Sequence, residues 1–386
     1  MQGITSYAEP VWLSARRADA LKLFNGLETP KLKYGLTIKI DLGDFSFEQI
    51  APPEIPQQKI IAPAGVDILD ISDAIKKYPE LLEKMFMSVL NNDAKFEAFH
   101  KAFWKKTTVV VIPKDTVVAE PIEIRSSFIN TNVEHVLILA QQHSKATVLC
   151  ETCNVSGSKF GLNSYCVEIF AGAGSTINFL GLQNCDEKTY TFSTKRALAE
   201  NDATVNWLDC NFGSMICLSE TTSVLKGAGS SSNIYGLFFG SHEQKFDVHA
   251  QSVHVGAHTT SDMFVKGVLD DEAKAIYRGV LKIMPSANGA SGYQKEDVTL
   301  LSPKAEADSI PELRINNNDV KKCTHGASVG QVDAEKLFYL MSRGLPKKEA
   351  VKKMIEGFFA FLLAKAENEG FSEQLKKLVE AKLYVK

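Results

Sequence analysis

The hydrophobic positions of this chain change their period twice. Over the first hundred residues they recur at helical spacing. Leu13 to Leu27 places Ala20, Leu23, Phe24 and Leu27 on one face and Asp19, Lys22 and Asn25 off it. Gly26 and Pro30 mark the end of that helix. Leu36 to Ile40 alternates like a short strand, and Ala51 to Pro56 is a proline-rich loop. Ser72 to Lys77 and Pro79 to Trp104 return to helix, with Leu81, Leu82, Met85, Phe86, Val89, Leu90, Phe96, Phe99 and Phe103 as apolar positions. Asn91, Asn92 and Asp93 are expected to break the second run into two helices. Apolar stripes at this spacing face a core.

From residue 106 the period becomes two. Thr107–Ile112, Val136–Leu139, Thr147–Leu149, Tyr165–Phe170, Thr176–Leu180, Tyr190–Ser193 and Thr204–Leu208 read as strands. So do Ser219–Leu225, Ile234–Phe239, Phe246–Val255, Met263–Val268, Ala275–Leu281 and Val298–Leu301. They are short, rich in β-branched and aromatic residues, and separated by polar or glycine turns. So many strands without an intervening helix imply a sandwich, a barrel or a solenoid. Gly172-Ala173-Gly174-Ser175 and Gly227-Ala228-Gly229-Ser230 each precede a strand, and such repeated turns favour stacked rungs. The predicted fold is therefore mainly β, a β-helix with helical flanks.

The tail is helical again. Asp333 is an N-cap for a helix from Ala334 to Ser342, and Gly344 suits its left-handed end. Pro346 fits the first turn of a second helix running to about Lys365. Its apolar residues, from Ala350 to Leu363, occupy nearly two faces, one to cover the β core and one for a partner. Gly357 inside it costs roughly 1 kcal/mol against alanine, which points to a close contact there. Ser372 is expected to cap a last helix with Leu375, Leu378 and Val379 on one side. The expected divisions are 1–105, helical; 106–322, the β-helix core; and 323–386, a helical region with an interface segment.

Composition narrows the function. The 386 residues carry a net charge of -3, so nucleic acid is not an expected partner. No apolar run is long enough for a membrane span, and Met1 to Pro10 lacks the apolar core of a signal peptide. Seven cysteines, an odd number, read as reduced thiols in a cytoplasmic protein.

Few residues offer chemistry. Cys150 and Cys153 form a C-x-x-C, but on an alternating strand a spacing of three sends them to opposite faces. His249, His254 and His258 are the densest histidine cluster. On a strand His254 and His258 would share a face, and a structural or interface role is expected. Cys166, Cys185, Cys210 and Cys217 read as core. Gly172 and Gly174 lack the third glycine of a dinucleotide fingerprint, and the chain has no G-x-x-x-x-G-K-[ST] loop. No nucleotide is expected on this chain, and ATP work would fall to a partner. Cys323 and His325 are two residues apart and share a face in extended backbone. They make half a site for a soft or borderline metal, to be completed from elsewhere in the chain or from another chain.

The stretch Thr299-Leu300-Leu301-Ser302, then Ala307 to Leu313, then Asp319 to Ser328 with its Cys-Thr-His-Gly, then Leu337 to Gly344, resembles the signature of the SufB/SufD family of iron–sulfur cluster assembly scaffolds. Phe246 to His249, His254, Ala257 to Ser261 and Tyr277 to Gly279 continue the likeness, as do Trp12, Arg16, Ala20, Phe24, Leu27 and Pro30. Cys-Thr-His-Gly, with no cysteine between Cys217 and Cys323, is nearer the SufD type. The resemblance implies a right-handed parallel β-helix and a non-catalytic subunit paired with a SufB-like paralogue, or a homodimer when alone. It implies a transient iron–sulfur cluster at the shared interface, with His325 important there and Cys323 beside it. It also implies a SufC-like ATPase held by the C-terminal helices, where Phe338, Tyr339, Arg343, Gly344 and Phe358 are the expected docking residues. Two other readings are a β-solenoid enzyme acting on polysaccharide and a metal-free structural adaptor. The former would need paired carboxylates, and the tightest acidic run, Asp270-Asp271-Glu272, reads as a turn.

Overall fold

The computed structural model describes residues 9–30, 35–43, 45–91, 94–155 and 160–384. Its centre is a β-solenoid of two facing nine-stranded sheets, and from the third strand onward successive strands alternate between them. One sheet holds β2 (Asp67–Asp70), β3 (Lys106–Ile112), β5 (Thr131–Ala140), β7 (Gly161–Ala171), β9 (Thr189–Ala199), β11 (Ile216–Leu225), β13 (Lys245–His254), β15 (Lys274–Ile283) and β17 (Glu306–Ile315). The other holds β1 (Gln57–Ile61), β4 (Ile122–Phe128), β6 (Lys145–Asn154), β8 (Thr176–Gln183), β10 (Thr204–Asn211), β12 (Ser231–Gly240), β14 (Thr260–Leu269), β16 (Ala290–Leu300) and β18 (Val320–Gln331). All neighbours pair in parallel except β1 with β4 and β2 with β3, which close the first coil antiparallel.

Alternation dictates this architecture. Inward positions such as Val148, Phe179, Trp207, Phe238, Phe246 and Tyr277 fill the bore, and outward positions meet the helical layers. The paired glycine turns mark a corner of the coil. Asp115, His143, Gly174, Asp202, Gly229, His258 and Gly289 all take positive φ there. Each donates its N–H to a carbonyl at the same corner of the next coil, as Gly174 does to Asn201 and Asp202 to Ala228. At Gly227 a Cβ would come within 2.0 Å of the Asn201 nitrogen, so the stacked corner excludes a side chain.

The N-terminal helices cover the β5–β7–β9 face. They are α1 (Val11–Gly26), α2 (Ile71–Lys77), α3 (Pro79–Met85) and α4 (Lys95–Phe103). Phe45, Phe86, Phe99, Phe103 and Trp104 pack on Val133, Leu137, Leu162 and Tyr190. The expected face of α1 is only partly buried: Ala20 is covered, whereas Leu23 is exposed. Of the break expected at 91–93, Asn92 and Asp93 lie outside the described residues, but α3 stops earlier, at Met85. Met87 is left-handed, and its N–H and that of Val89 turn to the Glu168 carboxylate. Leu36–Ile40 is no strand. It is held because Asp308 on β17 accepts from the Thr37 and Ile38 N–H groups at 2.7 and 2.8 Å.

The C-terminal helices α6 (Lys347–Ala364) and α7 (Glu369–Tyr384) lie on the opposite sheet. Ile355, Phe359, Leu362, Phe371 and Leu375 bury against Leu180, Leu208, Leu237 and Phe239. The cap of α7 differs from expectation: Asn368 accepts from Phe371 N–H, and Ser372 lies inside the helix. Gly357 is exposed with nothing near it, so it marks no close contact. No helix among the described residues is long and apolar enough to cross a membrane.

Candidate functional site

Among the described residues no element caps the last coil of the solenoid. Among the described residues β17 and β18 each have a neighbour on one side only, so two strand edges lie open together. Cys323 and His325 stand on β18, which runs through the division expected at residue 322 and ends at Gln331. They are in register with Gly292 and Gln294 of β16. Their spacing predicts a common face in extended backbone, and the structure makes that segment, expected to begin the helical region, the terminal strand.

The two side chains differ. Cys323 is half-buried against Val320 and the Ile283, Ala287 and Ala290 cluster, and burial pushes its thiol up. His325 is exposed. Among the described residues no further cysteine, histidine or carboxylate gathers with them into a metal-sized cluster. One thiol and one imidazole on an open edge can supply two ligands to a metal, and the rest must come from outside.

The coil beneath this edge carries polar groups that the sequence reading passed over. Gln294 and Glu296 of β16 and Tyr277 of β15 are buried. Tyr277 OH and Gln294 Oε1 have no hydrogen-bond partner among the described residues. Burial raises the Glu296 carboxyl to about 8 and leaves it largely neutral at pH 7. Native interiors rarely leave such groups unpaired. No local motif announces them. Glu296 of β16 and Ser309 of β17 lie on successive strands and meet only through the coil.

The expected docking residues divide. α5 (Ala334–Ser342) has no buried residue and is capped by Asp333, which accepts from the Glu335 and Lys336 N–H groups. Phe338 is 73% exposed and Tyr339 56%. Arg343 is exposed and stacks its guanidinium 5.3 Å from the Tyr339 ring, and Gly344 ends the helix with φ 94°. Phe358 is different. It is half-buried on the sheet, with the Lys266 ammonium 4.4 Å from its ring. The exposed aromatic of α6 is Phe361.

The other candidates are structural. Cys150 is buried in the bore and Cys153 half-buried. Cys166, Cys185, Cys210 and Cys217 are buried. His254 is clamped between Thr259 and Ser261 hydroxyls at 2.8 Å, and burial lowers it to about 4. His258 does not share a strand face with it, because β13 ends at His254 and His258 is one of the left-handed corner residues. His249 stands 3.9 Å from Glu220 on the outer face. Asp270, Asp271 and Glu272 form the turn before β15.

Residues 123–358 match the family described as SUF system FeS cluster assembly, SufBD core domain. The chain is 30% identical over 338 residues to the iron-sulfur cluster assembly protein SufD of Bacillus subtilis, covering 86% of this chain and 77% of that one. It is 28% identical over 299 residues to the iron-sulfur cluster assembly protein SufB of the same organism, covering 76% and 64%. With an iron-sulfur cluster assembly SufBD family protein of Staphylococcus epidermidis it shares 26% identity over 397 residues, covering 91% and 85%. Matched over most of its length by the family's core domain, and folded as a β-solenoid between two helical layers, this chain belongs to the SufBD family of iron–sulfur cluster assembly scaffolds.

Proposed function

We propose that this chain is a SufD-like, cytoplasmic and non-catalytic subunit of the assembly scaffold. It pairs with a SufB-like paralogue along the open edges of β17 and β18 and docks a SufC-like ATPase on α5. The observation that carries this reading is the uncapped terminal coil, with Cys323 and His325 on its outermost strand. An open strand edge is a template for another chain's backbone, and the seven free cysteines suit a reducing compartment.

The nascent cluster is cargo at that interface. Cys323 is held as a neutral thiol, so ligating iron requires it to release a proton. His325 can ligate through a neutral ring nitrogen. A paralogue on the edge would bring the missing ligands and exclude water. ATP-driven movement of the docked ATPase, carried through the C-terminal helices, would open or close this junction. The ATP chemistry is assigned to the partner because the sequence has no phosphate-binding loop.

The test is co-expression with the paralogue and ATPase from the same genome, followed by anaerobic cluster reconstitution. His325→Ala is expected to leave the complex intact and lower the cluster absorbance. Undiminished absorbance in an intact complex removes His325 from the site. Failure of the wild-type chain to recover either partner overturns the whole reading.

A further inference from the structure

A second group of ligand-type side chains lies far from the open edge, in the seam between the N-terminal helices and the solenoid. His100 on α4, His135 on β5 and Cys166 on β7 are all buried, and one ligand atom from each lies within 4.8 Å of the others. It is the single such cluster among the described residues. The solenoid register makes half of it, since His135 and Cys166 are direct partners across the β5–β7 ladder. α4 then lowers His100 onto the pair.

The outward ring nitrogens are already held. His135 Nε2 lies 3.0 Å from Glu168 Oε2, and His100 Nδ1 lies 3.1 Å from Ser164 Oγ. Glu168 also accepts the Met87 and Val89 N–H groups, which suits a carboxylate and makes His135 Nε2 the protonated nitrogen. His135 Nδ1 is then a lone pair, and it faces His100 Nε2 at 3.2 Å. Two nitrogens on one tetrahedral ion, each about 2.0–2.1 Å from it, stand about 3.3 Å apart. A carboxylate behind a ligating imidazole is the usual outer partner of such sites.

We propose that His100, His135 and Cys166 hold a divalent transition metal of the zinc class, which clips the N-terminal helical layer to the solenoid. Two imidazoles and a thiolate are the donor set that such an ion takes in preference to magnesium or calcium. On binding, the Cys166 thiol loses its proton to solvent and its sulfur bonds the metal. The thiolate and Glu168 together balance the two positive charges. With no metal the same groups remain a hydrogen-bonded chain from Ser164 to Glu168, so metal uptake is the measurement that separates the two states.

The full chain is produced with Cys323→Ala and His325→Ala, which removes the edge ligands and makes the result independent of the scaffold reading. It is expressed in cobalt-supplemented medium and purified without chelator. About one cobalt per chain is expected, with a thiolate-to-cobalt charge-transfer band, and both are lost in Cys166→Ser and in His100→Gln. A purified chain without stoichiometric cobalt overturns the proposal, and so does cobalt bound without the charge-transfer band. Where either added variant fails to fold, the band in the parent protein decides.

Discussion

The two ends of the solenoid are finished differently. At the first coil the chain closes itself: β1 and β2 turn antiparallel, and four helices cover the β5–β7–β9 face. The seam they make is polar as well as apolar. Arg196 of β9 reaches Glu97 of α4 at 3.0 Å and Glu220 of β11 at 2.7 Å. Arg17 of α1 donates to the Ala102 carbonyl, and its guanidinium lies 4.2 Å from the Trp104 ring. At the last coil nothing in the described chain covers β18, and α5 projects with Phe338 and Tyr339 in solvent. Both ends carry histidine and cysteine, but only at the open end can another protein reach them. Buried polar atoms without a partner among the described residues occur at both ends, Trp104 Nε1 and Arg196 Nε in the seam and Tyr277 OH and Gln294 Oε1 under the edge, so what separates the ends is access. A polar network closed over by the chain's own helices is a fastening, and one beside an open strand edge is a template for another chain.

Breaking the seam should give the largest effect. Arg196→Ala removes the ion-pair partner of the buried Glu97 and is expected to cost about 3–5 kcal/mol in a denaturant titration. The exposed Lys304–Glu272 pair of the terminal coil is as short, at 2.6 Å, yet Lys304→Ala should leave the denaturation midpoint unchanged. Equal losses from the two substitutions would erase the distinction. The same contrast holds for aromatics. Phe99→Ala in the seam should cost about 3–5 kcal/mol, whereas Phe338→Ala should stay within about 0.5 kcal/mol.

A smaller effect separates the coils by pH. The folded Glu296 carboxyl titrates at about 8, against an ordinary value of 4.5, because burial disfavours its charge. Between those values the folded state holds a proton that the unfolded chain has released, so stability falls as pH rises through that window. Glu97, raised to about 7 chiefly by burial, contributes in the same direction over a narrower range. Glu296→Gln should flatten the decline measured by urea midpoints at pH 5 and pH 8. An unaltered slope would show that Glu296 is solvated at the open end. The mildest change to the isolated chain is Phe338→Asp, which should leave its stability intact while weakening ATPase binding in a pull-down. Full retention of the ATPase would remove α5 from the docking surface.

Much of the fold was legible because period two recurs along strands that are covered on both sides. Every strand expected from Thr107 to Leu301 coincides with a strand of the solenoid, with Val255 and Leu301 one residue past the ends, but β4 was missed although its burial alternates. β17 and β18 escaped notice for the reason that makes them interesting. A terminal strand buries little, so Asp308, Pro311 and Glu312 on one, and Lys321, Lys322 and Gly326 on the other, interrupt the alternation. β1 and β2 were missed because neither shows alternating burial. Cys323 and His325 could be paired from spacing alone, since two residues on a strand share a face wherever the strand lies.

By itself, then, the sequence determined the local quantities: period, caps such as Asp333, the glycine corners, the missing phosphate loop and the Cys323–His325 pair. Only the tertiary structure decided which coil is last, that Phe358 turns inward while Phe361 stays out, and that His100 and Cys166, 66 positions apart, meet at His135. The physical reason is that periodicity and capping are set by the nearest few residues. Stacking one coil on the next is set by register between strands about thirty residues apart, and no short window of sequence contains that distance.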